Sequence, residues 1–177
     1  AEEGRRLGAA LWDLANDRPG AVVAWVNAAR RAPLRGYPTL RRDLVAFAGN
    51  AEALECLVAL GEHEPDGARA ASLFAEAARV AQSVEQFPRA LELAARALEQ
   101  NPRQTEVLAA AEAGASPSDD ERLSTLYARA ARGALGRFGR RAAHFRAARF
   151  FAGRASDALA IRHATQAFLA VPTQGAA

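Results

Sequence analysis

Phe145, Arg146 and Arg149 stand within about one helical turn of each other, so two guanidinium groups would flank an aromatic ring. Guanidinium forks hold carboxylates and phosphates through paired hydrogen bonds, and a neighbouring ring adds a flat apolar contact. Arg137, Arg140 and Arg141 precede them, with Phe138 in between. The cluster therefore admits two ligand chemistries. One is an acidic or mixed-charge peptide; the other is a nucleic acid whose phosphates meet arginine and whose bases stack on phenylalanine. The plainer alternative is a solvated face whose arginines pair with acids of neighbouring helices, and exposed pairs of that kind add little stability.

The other reactive side chains are few. His63 lies between Glu62 and Glu64 and reads as a solvated turn residue. His144 and His163 fall on consecutive expected helices and could approach each other, but no third ligand is evident, so packing is their expected role. Cys56 sits among Leu54, Leu57 and Val58 and reads as a small buried hydrophobe. As the single cysteine it can form neither an internal disulfide nor a thiolate pair for a metal. Gly133, Gly136 and Gly139 recur at threes without a preceding strand, which points to a loose turn between helices rather than a nucleotide loop. No His-Glu-x-x-His, paired Cys-x-x-Cys, Gly-x-x-x-x-Gly-Lys or Gly-x-Ser-x-Gly occurs. The expectation is a protein with no catalytic residues, no metal and no cofactor.

Composition narrows the setting. All 23 basic residues are arginine, a bias attributable first to GC-rich coding. Charge is uneven: residues 1–121 carry 13 arginines and 19 acids, for −6, whereas residues 122–177 carry 10 arginines and only Asp157, for +9. One end is thus suited to an anionic partner, or to head-to-tail stacking of copies or flanking segments. With no methionine, Ala1 is expected to follow processing or to lie within a longer protein. Neither a secretory signal nor an apolar run of about 20 residues is present, so a soluble domain, cytoplasmic and not inserted in a membrane, is expected.

Positioning these residues falls to helices. Alanine dominates while β-branched residues are scarce, a balance that favours helix over strand. Leu7, Leu11 and Leu14 beside Trp12 mark a first helix; Val22, Trp25 and Val26 mark a second over about 20–32, stopped by Pro33. A third is expected over about 38–48 and a fourth over about 51–60, with Gly49-Asn50 as the turn. Asp66 caps a helix running to Gln86, Pro88 opens one running to Gln100, and a shorter one spans about 104–113. After the acidic loop at 116–121 come a helix to about Leu135, a turn at 136–139, a helix over 140–151 and a last one over 156–169. Short helices paired in hairpins each leave an apolar face, which only stacking of neighbouring pairs can bury.

A repeat is visible in the small residues. Ala77-Ala78-Arg79, Ala90, Ala94, Ala97 and Pro102 recur seventy residues later as Ala147-Ala148-Arg149, Ala160, Ala164, Ala167 and Pro172. That distance is two units of 35, and the pattern resembles the tetratricopeptide repeat, a pair of antiparallel helices of about 34 residues. The clearest copy, 71–102, also carries Phe74, Ala81 and Phe87 in matching places; the other clear copy is 141–172, with His144 where a large aromatic is preferred. Copies at 2–33, 34–65 and 103–137 are degenerate, and Thr125, Arg129 and Arg132 fit worst. The resemblance implies an all-α fold, an α-solenoid of about five antiparallel helix pairs forming one domain over 1–177.

The resemblance also implies a function. Such arrays commonly hold an extended peptide or partner helix on a concave groove lined by the first helix of each pair. Carried over position by position, the groove residues are Ser72, Ala75, Arg79 and Gln82 in the clearest copy, Ala142, Phe145, Arg149 and Ala152 in the last, and Arg42 in the second. Arg42, Arg79, Gln82, Phe145, Arg146 and Arg149 are thus the candidate partner-binding residues. A protein-interaction scaffold is the leading expectation, a nucleic-acid module using the arginine-rich C-terminal part is the alternative, and a regulatory or assembly segment of a larger protein is a third.

Overall fold

The computed structural model describes residues 2–31 and 50–170, and within them it contains helices and turns but no strand. Nine α-helices follow in order: α1 (Glu2–Asp13), α2 (Arg18–Arg30), α3 (Asn50–His63), α4 (Gly67–Ser83), α5 (Phe87–Gln100), α6 (Leu108–Glu112), α7 (Asp120–Gly133), α8 (Gly136–Ala152) and α9 (Asp157–Ala170). Two 3₁₀ turns, Thr105–Val107 and Pro117–Asp119, precede α6 and α7. The helix expected over 38–48, and Arg42 with it, lie outside the described residues.

Helices begin and end where side chains settle their loose backbone groups. Asp66 accepts the Arg69 N–H at 2.8 Å, capping α4, and Pro88 occupies the first turn of α5, where a missing N–H leaves nothing unbonded. Before α7, Ser116 donates its N–H and its hydroxyl to the Asp119 carboxylate at 3.1 and 2.7 Å. The glycine-rich turn is tighter than its sequence suggests. α7 stops at Gly133 and α8 starts at Gly136, so Arg137, Phe138 and Gly139 are already helical. Gly136, at φ +67°, reverses the chain in a conformation that a Cβ disfavours, and Arg137-Phe138 contain no helix breaker. Gly133 is needed for a different reason, because a Cβ there would lie 2.3 Å from that of Pro102.

Each helix packs chiefly on its neighbours in sequence, from α1 on α2 and α2 on α3 through α8 on α9. The links between α4 and α5 and between α8 and α9, at 84–86 and 153–156, are too short to run back along a helix, so these partners are antiparallel. Alanine allows the close approach: Ala77, Ala78, Ala81, Ala90, Ala94 and Ala97 are fully buried where α4 meets α5. Larger side chains fill the spaces between pairs, with Trp25, Phe74, Leu93, Tyr127 and Phe151 inaccessible to water. Burying a side chain of that size contributes roughly 1.5–3 kcal/mol.

The repeat shows in hydrogen bonds as well as in packing. Arg96 donates to Glu62 at 3.0 Å, Arg129 to the Ala95 carbonyl at 3.5 Å, Arg146 to Glu112 at 2.8 Å and Arg154 to Asp120 at 3.0 Å. Every one of these bonds spans 34 residues. A constant separation across four contacts is what translation by one helix pair produces. The described chain is an all-α stack of helix pairs.

Candidate functional site

Helix α8 carries most of the candidate residues, and its sequence divides it into two faces. Ala147 and Phe151 are buried against the stack, whereas Phe138, Arg141, Ala142, Phe145, Arg149 and Ala152 are exposed. Alanines at 142, 143, 147, 148 and 152 favour helix without bulk, so arginine and phenylalanine set the character of the outer face. Arg137 lies over the ring of Phe138 at 5.4 Å and Arg141 over that of Phe145 at 5.1 Å. Guanidinium over an aromatic face is held by the ring quadrupole while its edge stays free to donate.

Beside this face run two adjoining cavities. One, of about 460 Å³, is lined by Arg103, Leu108, Ala130, Leu135, Ala142 and Arg146 among others. The second, of about 570 Å³, is lined by Glu112, Tyr127, Phe145, Arg149 and Phe150, and shares Ala142 and Arg146 with the first. Together they form one groove between α8 and the segment from Arg103 to α7. Phe145 remains 43% exposed.

Charge in the groove is only partly neutralised. Glu112 accepts from Arg146 at 2.8 Å and from the Tyr127 hydroxyl, so one acid holds two donors. Burial, followed by that bond to Glu112, raises the Tyr127 phenol well above its ordinary range and keeps it neutral. Arg103, Arg141 and Arg149 have no ion pair with any described residue. The groove therefore combines the guanidinium groups of Arg103 and Arg149, unpaired among described residues, the exposed ring of Phe145 and one carboxylate already engaged.

The candidate residues do not form a single wall. Phe145, Arg146 and Arg149 converge on the groove. Arg79 and Gln82 lie on α4, which packs on α3 and α5, and neither lines either cavity. Arg79 is exposed and unpaired among described residues, whereas Ala75, on the same expected face, is buried. Sequence reasoning missed Arg103, Glu112 and Tyr127. The signal that could have found Glu112 is its 34-residue separation from Arg146, the distance that brings successive repeats into register.

The two C-terminal histidines do meet. His144 Nδ1 and His163 Nδ1 lie 3.0 Å apart, and His163 Nε2 lies 3.0 Å from the Ser124 hydroxyl. Phe151 stacks on His163, whose 2% exposure marks it as a core residue. Burial first, then His144 and Arg162, depress the His163 imidazole to about 4, and burial also lowers His144. Among described residues no group of three or more His, Cys, Asp or Glu is placed to hold a metal ion. His63 is exposed and bonded to the Ala59 carbonyl, and burial pushes the Cys56 thiol up to about 12. No described helix is long and apolar enough to cross a membrane.

No family model, curated protein or solved structure matches this chain.

Proposed function

We propose that the chain is an interaction scaffold of the tetratricopeptide-repeat type, a single helical-repeat domain over 1–177 that binds an acidic or mixed-charge peptide of a partner protein along α8. The observation that carries this reading is the groove in which Arg149, without an ion pair among described residues, lies beside the exposed ring of Phe145, with Arg141 at the groove's margin over that ring at 5.1 Å. Carboxylates of a peptide would take the free forks, and an apolar side chain would rest on the ring. The 34-residue recurrence of inter-helix bonds supports the repeat assignment. The reading requires neither a cofactor nor a catalytic group, and it suits a cytoplasmic protein or a segment of a larger one.

The alternative is a single-stranded nucleic acid, favoured by the Arg137–Phe138 and Arg141–Phe145 pairs. Glu112, engaged by Arg146 and Tyr127, opposes any anionic ligand and so weighs on both readings alike.

Panning a displayed random-peptide library against the full chain tests the proposal. Peptides bearing Asp or Glu beside an apolar residue should be enriched, and Arg149→Glu should abolish their binding while leaving the helical circular dichroism unchanged. No enrichment, or enrichment indifferent to Arg149→Glu, overturns it. So does tighter, steeply salt-dependent binding of labelled oligonucleotides in a parallel titration.

A further inference from the structure

On a different side of the C-terminal hairpin, α7, α8 and α9 enclose a third cavity, of about 450 Å³. Its lining includes Ser124 and Arg132 of α7, His144 of α8, and Arg162, His163 and Gln166 of α9. It shares no residue with the groove described above. Its lining carries two guanidinium groups and no carboxylate. We propose that this cavity is a binding site for a compact oxyanion of the phosphate-monoester class, held by Arg132 and by His144 in its protonated form.

Charges around the cavity select an anion over a metal cation. Arg162 is engaged by Glu121 at 3.1 Å, so that pair is close to neutral. Arg132 has no acid partner among described residues and leaves one positive charge uncompensated. A cation between two imidazoles would face both guanidinium groups without a carboxylate ligand. An anion meets the opposite situation, with the Arg132 fork and the Gln166 amide already in place.

The histidine chain positions one protonatable imidazole, that of His144, for the same ligand. With His163 donating its Nε2–H to Ser124, its bare Nδ1 accepts from the Nδ1–H of His144. His144 can then take a second proton on Nε2 without breaking either bond. Burial opposes that proton in the empty cavity, and an anion would favour it. His163 stays neutral throughout, because a proton on its Nδ1 would face the donating Nδ1–H of His144. Ser124 lies inside α7, where neighbouring N–H groups are spent in the helix, so the chain orients imidazoles rather than building a nucleophile.

Proton NMR of the full chain, which contains only three histidines, provides the test. Inorganic phosphate and glycerol phosphate, each titrated at several pH values, should raise the titration midpoint of His144 while leaving His163 and exposed His63 unchanged. Affinity should increase several-fold per unit fall in pH near the His144 midpoint, and calorimetry should record proton uptake on binding. Arg132→Gln, a surface change, should weaken binding about tenfold or more, as loss of a charge-assisted bond requires. A His144 midpoint unmoved by phosphate, equal shifts in His63, or unchanged affinity in Arg132→Gln would overturn the proposal. Because the cavity is separate from the arginine groove, none of these outcomes bears on peptide binding.

Discussion

Glu85 and Ala155, seventy residues apart, hold the same left-handed backbone at corresponding points of two hairpins, with φ of 60° and 56°. The bonds around them correspond as well. Gln86 N–H donates to the Ala81 carbonyl at 2.8 Å and Ser156 N–H to that of Phe151 at 3.0 Å. Glu85 and Ala155 themselves donate to Gln82 and Ala152 at 3.0 and 3.3 Å. One turn geometry thus closes both α4 and α8, although Glu85 and Ala155 share no chemistry.

Neither residue is glycine, and a left-handed conformation brings Cβ against the carbonyl at a cost of about 1–2 kcal/mol. Glu85→Gly and Ala155→Gly relieve that crowding but lose some unfolded-state restriction. Each should raise the thermal midpoint, by up to about 1 kcal/mol in stability. A lowered midpoint in both would mean that the turns are not strained as their φ values imply.

The same seventy-residue relation contrasts an inner face with an outer one. Leu91 and Leu98 of α5 correspond to Ile161 and Phe168 of α9, all large and apolar. The first two are 3% and 0% exposed, the latter 66% and 61%, because α5 is followed by the segment leading to α7 and no described element follows α9. Leu98→Ala should therefore cost about 2–5 kcal/mol, whereas Phe168→Ala should change stability by less than about 0.5 kcal/mol. Chemical denaturation of both variants checks the contrast, and similar costs would show that Phe168 is covered in solution.

Much of this architecture is legible in the residues. Alanine at 77, 78, 90, 94 and 97 announces close helix contacts, and Asp66 and Pro88 announce helix starts, since both are local effects. Gly136–Gly139 reads as an open turn because glycine marks flexibility; the actual two-residue link depends on Gly133 meeting Pro102, a contact between distant segments. The groove is legible in part for the same reason. Phe145, Arg146 and Arg149 share one helix and can be grouped from spacing, whereas Glu112 and Tyr127 arrive from other helices. Arg79 illustrates the converse: an equivalent position in the repeat does not put a side chain in the same cavity.

Stability should fall in mild acid because of His163. Its folded-state imidazole is depressed to about 4 by burial, His144 and Arg162, against an ordinary value of 6.5. Above pH 6.5 the imidazole is neutral whether folded or unfolded, and its full contribution is present. Below that, only the unfolded chain takes up the proton, so stability declines progressively towards pH 4. The loss should be of order 2 kcal/mol after allowance for solvent screening. His163→Leu, which copies the buried Leu93 at the corresponding position, should flatten this part of the pH profile. An unchanged slope would assign the acid sensitivity to other groups.

Glu112 links stability to binding with opposite signs. It accepts from the buried Tyr127 hydroxyl and from Arg146, so Glu112→Gln keeps an oxygen for the tyrosine but removes the charge that holds the arginine. Stability should drop by about 1 kcal/mol, the scale of one partly exposed charged bond. Affinity for acidic peptides should rise several-fold, because Arg146 joins Arg141 and Arg149 as a free fork and a repelling carboxylate is gone. Its salt dependence should steepen together with it. Thermal denaturation and fluorescence anisotropy on the same preparation measure both effects. If affinity falls with stability, Glu112 is preparing the groove for its ligand rather than competing with it.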